Sequence, residues 1–266
     1  MPLDLISRKL LLGNPNHGPI ALMYHSVQEG RRSPSWRWAV SMARFREQLD
    51  LLQASGWSTI CIRDLPAADP HASRLAAITF DDGYADNFAA FREIERRGMR
   101  ATWFVVSGDV GRASGWTSTG AKPRPMLSAE QLRLMDSAGM EIGSHTCTHS
   151  RLTEVDGQTV QQELRQSRAE LEGILGKEIH SFAYPYGKYD PQTVEAVRAA
   201  GYRAACTTRS GWALRDGDPL RIRRVTVFAG DNLSTFARKL AFADNDVSWG
   251  RLARYAASRL AARIAD

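Results

Sequence analysis

Cysteine is scarce in this chain. Its 266 residues hold three, Cys61, Cys147 and Cys206. The number is odd and the spacing wide, which excludes a disulfide framework. Reduced thiols fit a cytosolic chain. Long apolar runs are missing too. Arg8 and Lys9 precede only Leu10 to Leu12 before Asn14, Pro15 and Asn16 intervene. That run is too short for a signal-peptide core or a membrane span, and no small-residue cleavage site follows it. The expectation is a cytoplasmic protein. No linker-like or low-complexity stretch divides Gly18 from Gly230, and no internal repeat is visible. Basic patches interleaved with aromatics are absent, so nucleic acid is not an expected partner. The net charge of +6 and pI near 9.5 favour anionic partners in general.

What is present suits one large domain. Hydrophobic residues make up 43% and charged residues 24%, enough apolar side chains for a full core. Apolar runs alternate with helical patterns. Pro19–Val27 reads as a buried strand ending at His25, and Trp57–Ile62, Leu75–Phe80, Ala101–Val106, Met140–Ser144, Ile179–Ala183, Tyr202–Thr207 and Ile222–Val227 read as further strands. Met42, Phe45, Leu49 and Leu52 keep helical spacing up to Gly56. Other helices are expected over 86–97, from the Ser128/Gln131 capping box to Met135, over 158–175 and over 191–200. Strands alternating with helices predict βαβ units and a mainly parallel sheet. About seven such units fit, so a barrel is natural. His25, Asp81, Asp82, His145 and Tyr186 each follow an apolar run. In an α/β barrel those carboxyl ends share one face, where active sites collect.

Thr79-Phe80-Asp81-Asp82-Gly83 sets two carboxylates at the end of a strand. Where the pleat breaks, neighbouring side chains can converge. Two carboxylates that close repel, and a divalent metal would relieve the repulsion. The chain has six histidines, and two of them, His145 and His149, stand four residues apart. From a helical turn or a tight loop they can face one metal. Asp82, His145 and His149 together make a two-His-one-carboxylate set, which leaves coordination positions open for water and substrate. Cys147 lies within this motif, but a thiolate would add negative charge beside Asp81 and Asp82.

These two motifs, with Phe182-Ala183-Tyr184-Pro185-Tyr186-Gly187, resemble the three ordered motifs of the polysaccharide deacetylases, carbohydrate esterase family four (the NodB-homology domain). The opening strand resembles the PgaB/IcaB-like branch, the poly-N-acetylglucosamine deacetylases. The likeness covers residues 18–230. It implies an α/β fold, a distorted (β/α)7 barrel in a single catalytic domain. It implies a metal-dependent hydrolase that removes the N-acetyl group from an amino sugar, in a polysaccharide or a lipid-linked glycan. The metal would be Zn2+, with Ni2+ or Co2+ also suited to such ligands. Asp81 would be the general base, and the backbone N–H of Tyr186 would stabilise the oxyanion.

Two departures stand out. Ala183 occupies the position of the family's third-motif arginine, and no histidine follows His180 to supply the late general acid. The PgaB/IcaB-like branch shares both. By that resemblance His25 takes the acid's place and Arg224 the missing arginine's. Other readings are hydrolysis of another acyl-amide or C–N bond on the same metal site, or a carbohydrate-binding protein that keeps the fold without turnover. Residues 1–17 read as an N-terminal extension and 18–243 as the barrel. In residues 244–266, Trp249, Leu252, Ala256, Leu260 and Ile264 form one helical stripe, with Arg251, Arg254, Arg259 and Arg263 off it. Such a basic amphipathic helix could lie on an anionic membrane surface.

Overall fold

The computed structural model describes residues 3–13, 18–116, 122–248 and 250–253. In chain order the elements are α1 (Leu5–Gly13), β1 (Ile20–Tyr24), β2 (Ser26–Gln28), β3 (Ala39–Ser41), α2 (Met42–Ala54), β4 (Ser58–Ile60) and β5 (Leu75–Phe80). They continue with α3 (Asn87–Arg96), β6 (Thr102–Val105), α4 (Ala129–Ser137), β7 (Glu141–Ser144), α5 (Gly157–Leu175), β8 (Ser181–Ala183), α6 (Pro191–Ala199), β9 (Ala204–Cys206), β10 (Val225–Thr226) and α7 (Leu233–Phe242).

Local chemistry sets the helix boundaries. Ser41, Asp156 and Asn232 each accept the backbone N–H three residues on. Ser128 with Gln131, and Asp190 with Thr193, form capping boxes. Pro191 at the first helical position of α6 gives up an N–H that the helix does not need.

The sheet is parallel throughout and runs β10-β1-β5-β6-β7-β8-β9, with β4 added beside β5. Its two ends approach one another through a single segment. Ile222 bridges to Cys206 at the end of β9, and Val225–Thr226 pair with β1 three residues later. This is the distorted (β/α) barrel of the sequence reading. Alternation along the strands divides the core in two. Leu22, Ile78, Trp103 and Phe182 face outward onto Phe45, Phe91, Leu164 and Phe236 of the helices. Ala21, Ala77, Phe104, Ala183, Ala204, Cys206 and Ile222 fill the interior. Five of these seven are alanine or cysteine, small side chains that leave room for one long buried residue from the closing segment.

Some elements differ from expectation. The strand expected to end at His25 does so, β1 stopping at Tyr24, but Ser26–Gln28 go on to pair with β3 in a separate two-stranded sheet. The strand expected over 222–227 is regular only at Val225–Thr226, because Ile222 pairs with the opposite edge. Helix α1 docks along α7, the Asp4 N–H donating to Ser234 Oγ (3.0 Å) and Arg238 Nη1 to Ser7 Oγ (2.9 Å). Of the basic C-terminal stripe, Leu252 is nearly buried and Arg251 pairs with Asp244 at 3.0 Å. Trp249, Arg254, Ala256, Arg259, Leu260, Arg263 and Ile264 lie outside the described residues. Among the described residues no helix is long and apolar enough to cross a membrane.

Candidate active site

Asp81 and Asp82 reach one site by different routes. Ala77 and Thr79 point into the barrel, and Asp81 continues their parity beyond the end of β5. Asp82 would face the other way in an extended strand. Its φ of +75° turns it back. Gly83 follows at φ +86°, and a Cβ there would meet Val105 Cγ1 at 3.1 Å.

His145 and His149 sit on a tight loop after β7, not on a helical turn. Thr146 and His149 both have positive φ, +67° and +61°. Glu163 of α5 holds this loop in place. Its Oε2 accepts the N–H groups of Cys147 (2.8 Å) and Thr148 (2.9 Å), and its Oε1 accepts the Thr148 hydroxyl (2.6 Å). The imidazoles converge on one carboxylate oxygen, with Nε2 of His145 3.5 Å and Nε2 of His149 3.3 Å from Asp82 Oδ1. The three potential ligand atoms all lie within 4.8 Å of one another, and all three residues are buried. His145 Nδ1 donates to the Ala183 carbonyl at 2.8 Å, so in the neutral ring Nε2 carries the lone pair that a cation would take. His149 Nδ1 meets the Tyr186 hydroxyl at 3.1 Å. A buried carboxylate with two imidazole Nε2 atoms turned toward it is a donor set that fits a divalent cation. Cys147 stays outside it. Its Sγ lies against Glu170, and burial, with that carboxylate, pushes its pKa up to about 11.

Arg224 is the long residue inside the barrel. It is fully buried and grips Asp81 bidentately, Nη1 to Oδ1 at 2.5 Å and Nη2 to Oδ2 at 2.7 Å. Nη1 also donates to Thr79 Oγ1 (3.1 Å) and Nε to the Thr207 carbonyl (3.0 Å). Burial alone would raise the Asp81 pKa, but the Arg224 charge, helped by His145, holds it below the usual carboxylate range. Asp82 lies well below that range: burial is outweighed by its bonds to the two imidazoles. For His145 burial acts to lower the pKa, yet the bond to Asp82 and the Asp81 charge raise it. His149 and His25 are both lowered, burial outweighing the nearby carboxylates.

His25, at the break after β1, packs its ring on Trp38 with centroids 4.6 Å apart, and its Nδ1 is buried without a protein partner. Tyr186 adopts φ +58° between Pro185 and Gly187. Its ring stacks near His149 and under Arg151, whose guanidinium lies 4.4 Å from the ring centre. All seven residues singled out in the sequence gather at one end of the barrel. Six of them, with Trp36, Trp38, Tyr84 and Trp116, line a pocket of about 430 Å³, and Arg224 lies beneath through Asp81. Glu163, Tyr84 and Trp116 were not foreseen. Trp116 stacks 4.5 Å from His149, and Tyr84 lies beside Asp82, its pKa raised by burial and by that carboxylate.

Residues 68–205 match the family model described as polysaccharide deacetylase. The chain belongs to the polysaccharide deacetylase family. It is 30% identical over 220 residues to YxkH of Bacillus subtilis (strain 168), a protein assigned to the same family, covering 81% of this chain and 73% of that one. Among solved structures, IcaB from Ammonifex degensii is 28% identical with a TM-score of 0.69, over 86% of this chain and 97% of that one. The Streptococcus pyogenes deacetylase PplD, solved with acetate, shares the fold at 21% identity, TM-score 0.72, over 84% and 98% of the two chains. In this polysaccharide deacetylase the interior position Ala183 carries no charge, and the guanidinium on Asp81 comes from the segment that closes the barrel.

Proposed function

We propose that this deacetylase is a metal-dependent hydrolase that removes the N-acetyl group from an amino sugar of a polysaccharide or lipid-linked glycan. One observation carries the reading. Asp82, His145 and His149 form a compact ligand set, and beside it Asp81 is clamped by an arginine that a metal site alone does not need. The clamp favours turnover over simple glycan binding.

A divalent cation held by Asp82, His145 and His149, zinc foremost by donor chemistry, would polarise the acetamide carbonyl and lower the pKa of a bound water. Asp81 acts as general base and takes a proton from the attacking water. A positioned base contributes about 10²–10⁴-fold. Arg224 keeps the carboxylate ionised and aimed. The Tyr186 N–H, on a peptide bracketed by Pro185 and Gly187, donates to the developing oxyanion. His25 protonates the departing amine; burial lowers its pKa, so the resting ring is neutral and takes up a proton before it gives one. Trp36, Trp38 and Trp116 give apolar faces on which a pyranose ring can stack.

The test is acetate release from N-acetylglucosamine oligomers, with an O-acetylated glycan and an N-formylated sugar alongside. Release from the N-acetylated oligomer, abolished in Asp81→Asn, is the expected result. Preference for either alternative acyl substrate redirects the assignment, and release unchanged in Asp81→Asn overturns it.

A further inference from the structure

An N-acetylated amino sugar is neutral, yet the outer wall of the pocket is cationic. Lys122 and Arg124 both line it. Among the described residues neither has a carboxylate within ion-pair distance, in a molecule where most buried or half-buried arginines are paired. Arg124 is not a loose rim side chain. Its guanidinium lies 3.9 Å from the Trp36 ring centre and 5.9 Å from that of Tyr84. Its backbone N–H donates to Ser114 Oγ at 3.1 Å, and the flanking segment is pinned by the Ala113–Pro125 and Tyr84–Met126 bridges. Stacking occupies the face of the guanidinium and leaves its edge donors without a protein acceptor among the described residues. Asp86 is the carboxylate whose field reaches Arg124, but its Oδ2 accepts the Ser26 hydroxyl at 2.5 Å and its pKa is raised to about 6 by burial.

The wall carries little compensating charge deeper in. Asp81 is neutralised by Arg224, and Asp82 is committed to the two histidines. Tyr84 links the two regions, with its hydroxyl side beside Asp82 and its ring beside Arg124. The free fork of Arg124 and the carboxylate of Asp82 therefore lie at opposite ends of Tyr84, with the pocket between them. A planar fork of donors fixed in a pocket suits a phosphate or carboxylate, bound bidentately.

Resting on the deacetylase reading above, we propose that Arg124 and Lys122 form an oxyanion subsite, and that the substrate is an N-acetylated amino sugar bearing a phosphate or carboxylate next to the acetamido ring. The subsite selects for charged glycans and holds the sugar so that its acetamide faces Asp82.

Three probes test it: N-acetylglucosamine 1-phosphate, its neutral methyl glycoside, and a disaccharide of N-acetylglucosamine linked to glucuronic acid. The expected result is a kcat/KM about 10- to 100-fold higher for one of the charged probes than for the neutral one, carried by KM. Which charged probe gains identifies phosphate or carboxylate as the ligand. The advantage weakens with salt. In Arg124→Gln and Lys122→Gln the charged-to-neutral ratio falls toward one, and Arg124→Lys restores part of it. A neutral probe turned over as well as the charged ones by the unaltered enzyme overturns the subsite while leaving the deacetylase reading standing. No acetate from any probe or from the oligomers removes the reading on which the subsite rests. A charged-to-neutral ratio unchanged in both Gln variants also overturns it.

Discussion

Replacing Arg224 by alanine removes one partner of a fully desolvated, bidentate ion pair. Asp81 then keeps its charge inside the barrel with only weaker partners. Breaking such a buried pair from one side costs about 3–5 kcal/mol. In a chain of this size each kcal/mol moves the melting temperature by about 2–4 °C. The expected loss at pH 7.5 is therefore about 6–20 °C by calorimetry. The pH dependence has a definite sign. In the unaltered protein Asp81 has a depressed pKa, so its stabilisation is fully present above the unfolded carboxylate value near 3.9 and is lost as pH falls through the lower folded value. Without the guanidinium, burial raises the Asp81 pKa instead. The penalty of the variant then exists at neutral pH and fades as Asp81 takes a proton on acidification. The gap in melting temperature between the two proteins should narrow from pH 8 to pH 4.5. Turnover should fall about 10²-fold or more, because the base is neither aimed nor held ionised. Arg224→Lys should fall between, keeping the charge but losing the fork. An alanine variant with unchanged melting temperature and kcat, or a gap that widens on acidification, refutes the reasoning.

His25→Ala should lower kcat by about 10²-fold with metal content unchanged; undiminished turnover removes it as the acid. Glu163→Ala leaves the Cys147 and Thr148 N–H groups without their acceptor and should weaken metal binding by about 10- to 100-fold in competition with a chelating dye; unchanged affinity means the loop holds itself. Cys147→Ser should keep metal stoichiometry and turnover, since its thiol lies against Glu170; loss of the metal would make Cys147 a ligand after all.

Much of the site is legible in the sequence because chemistry and periodicity coincide there. Asp81-Asp82 follows an apolar run that could only be a buried strand. Two of six histidines share a pentapeptide, and their distance in sequence from Asp82 is closed by two βα repeats. Alternation of strands and helices gave the parallel barrel. The rest depends on contacts that carry no local signal. Glu163 reads as one more acid on a charged helix; only its place among the buried Val160, Leu164, Ser167 and Leu171 hints that it faces inward. Tyr84 and Trp116 lie in loops whose path is set by distant bridges. The end of the strand at His25 is legible, but nothing nearby says that Ser26–Gln28 leave one sheet to pair in another. The short β10 has the same cause, since the segment from Ile222 to Thr226 is shared between two edges.

The central claim is that Asp82, His145 and His149 hold one catalytic cation. The direct measurement is to strip the protein with a chelator, add zinc in sub-stoichiometric steps, and record bound metal and acetate release from N-acetylglucosamine oligomers together. Activity absent from the stripped protein and rising in proportion to bound zinc until one equivalent, with no binding in His149→Ala, is the predicted result. Full activity in the metal-free protein, or tight binding of zinc that survives loss of His149, would contradict it.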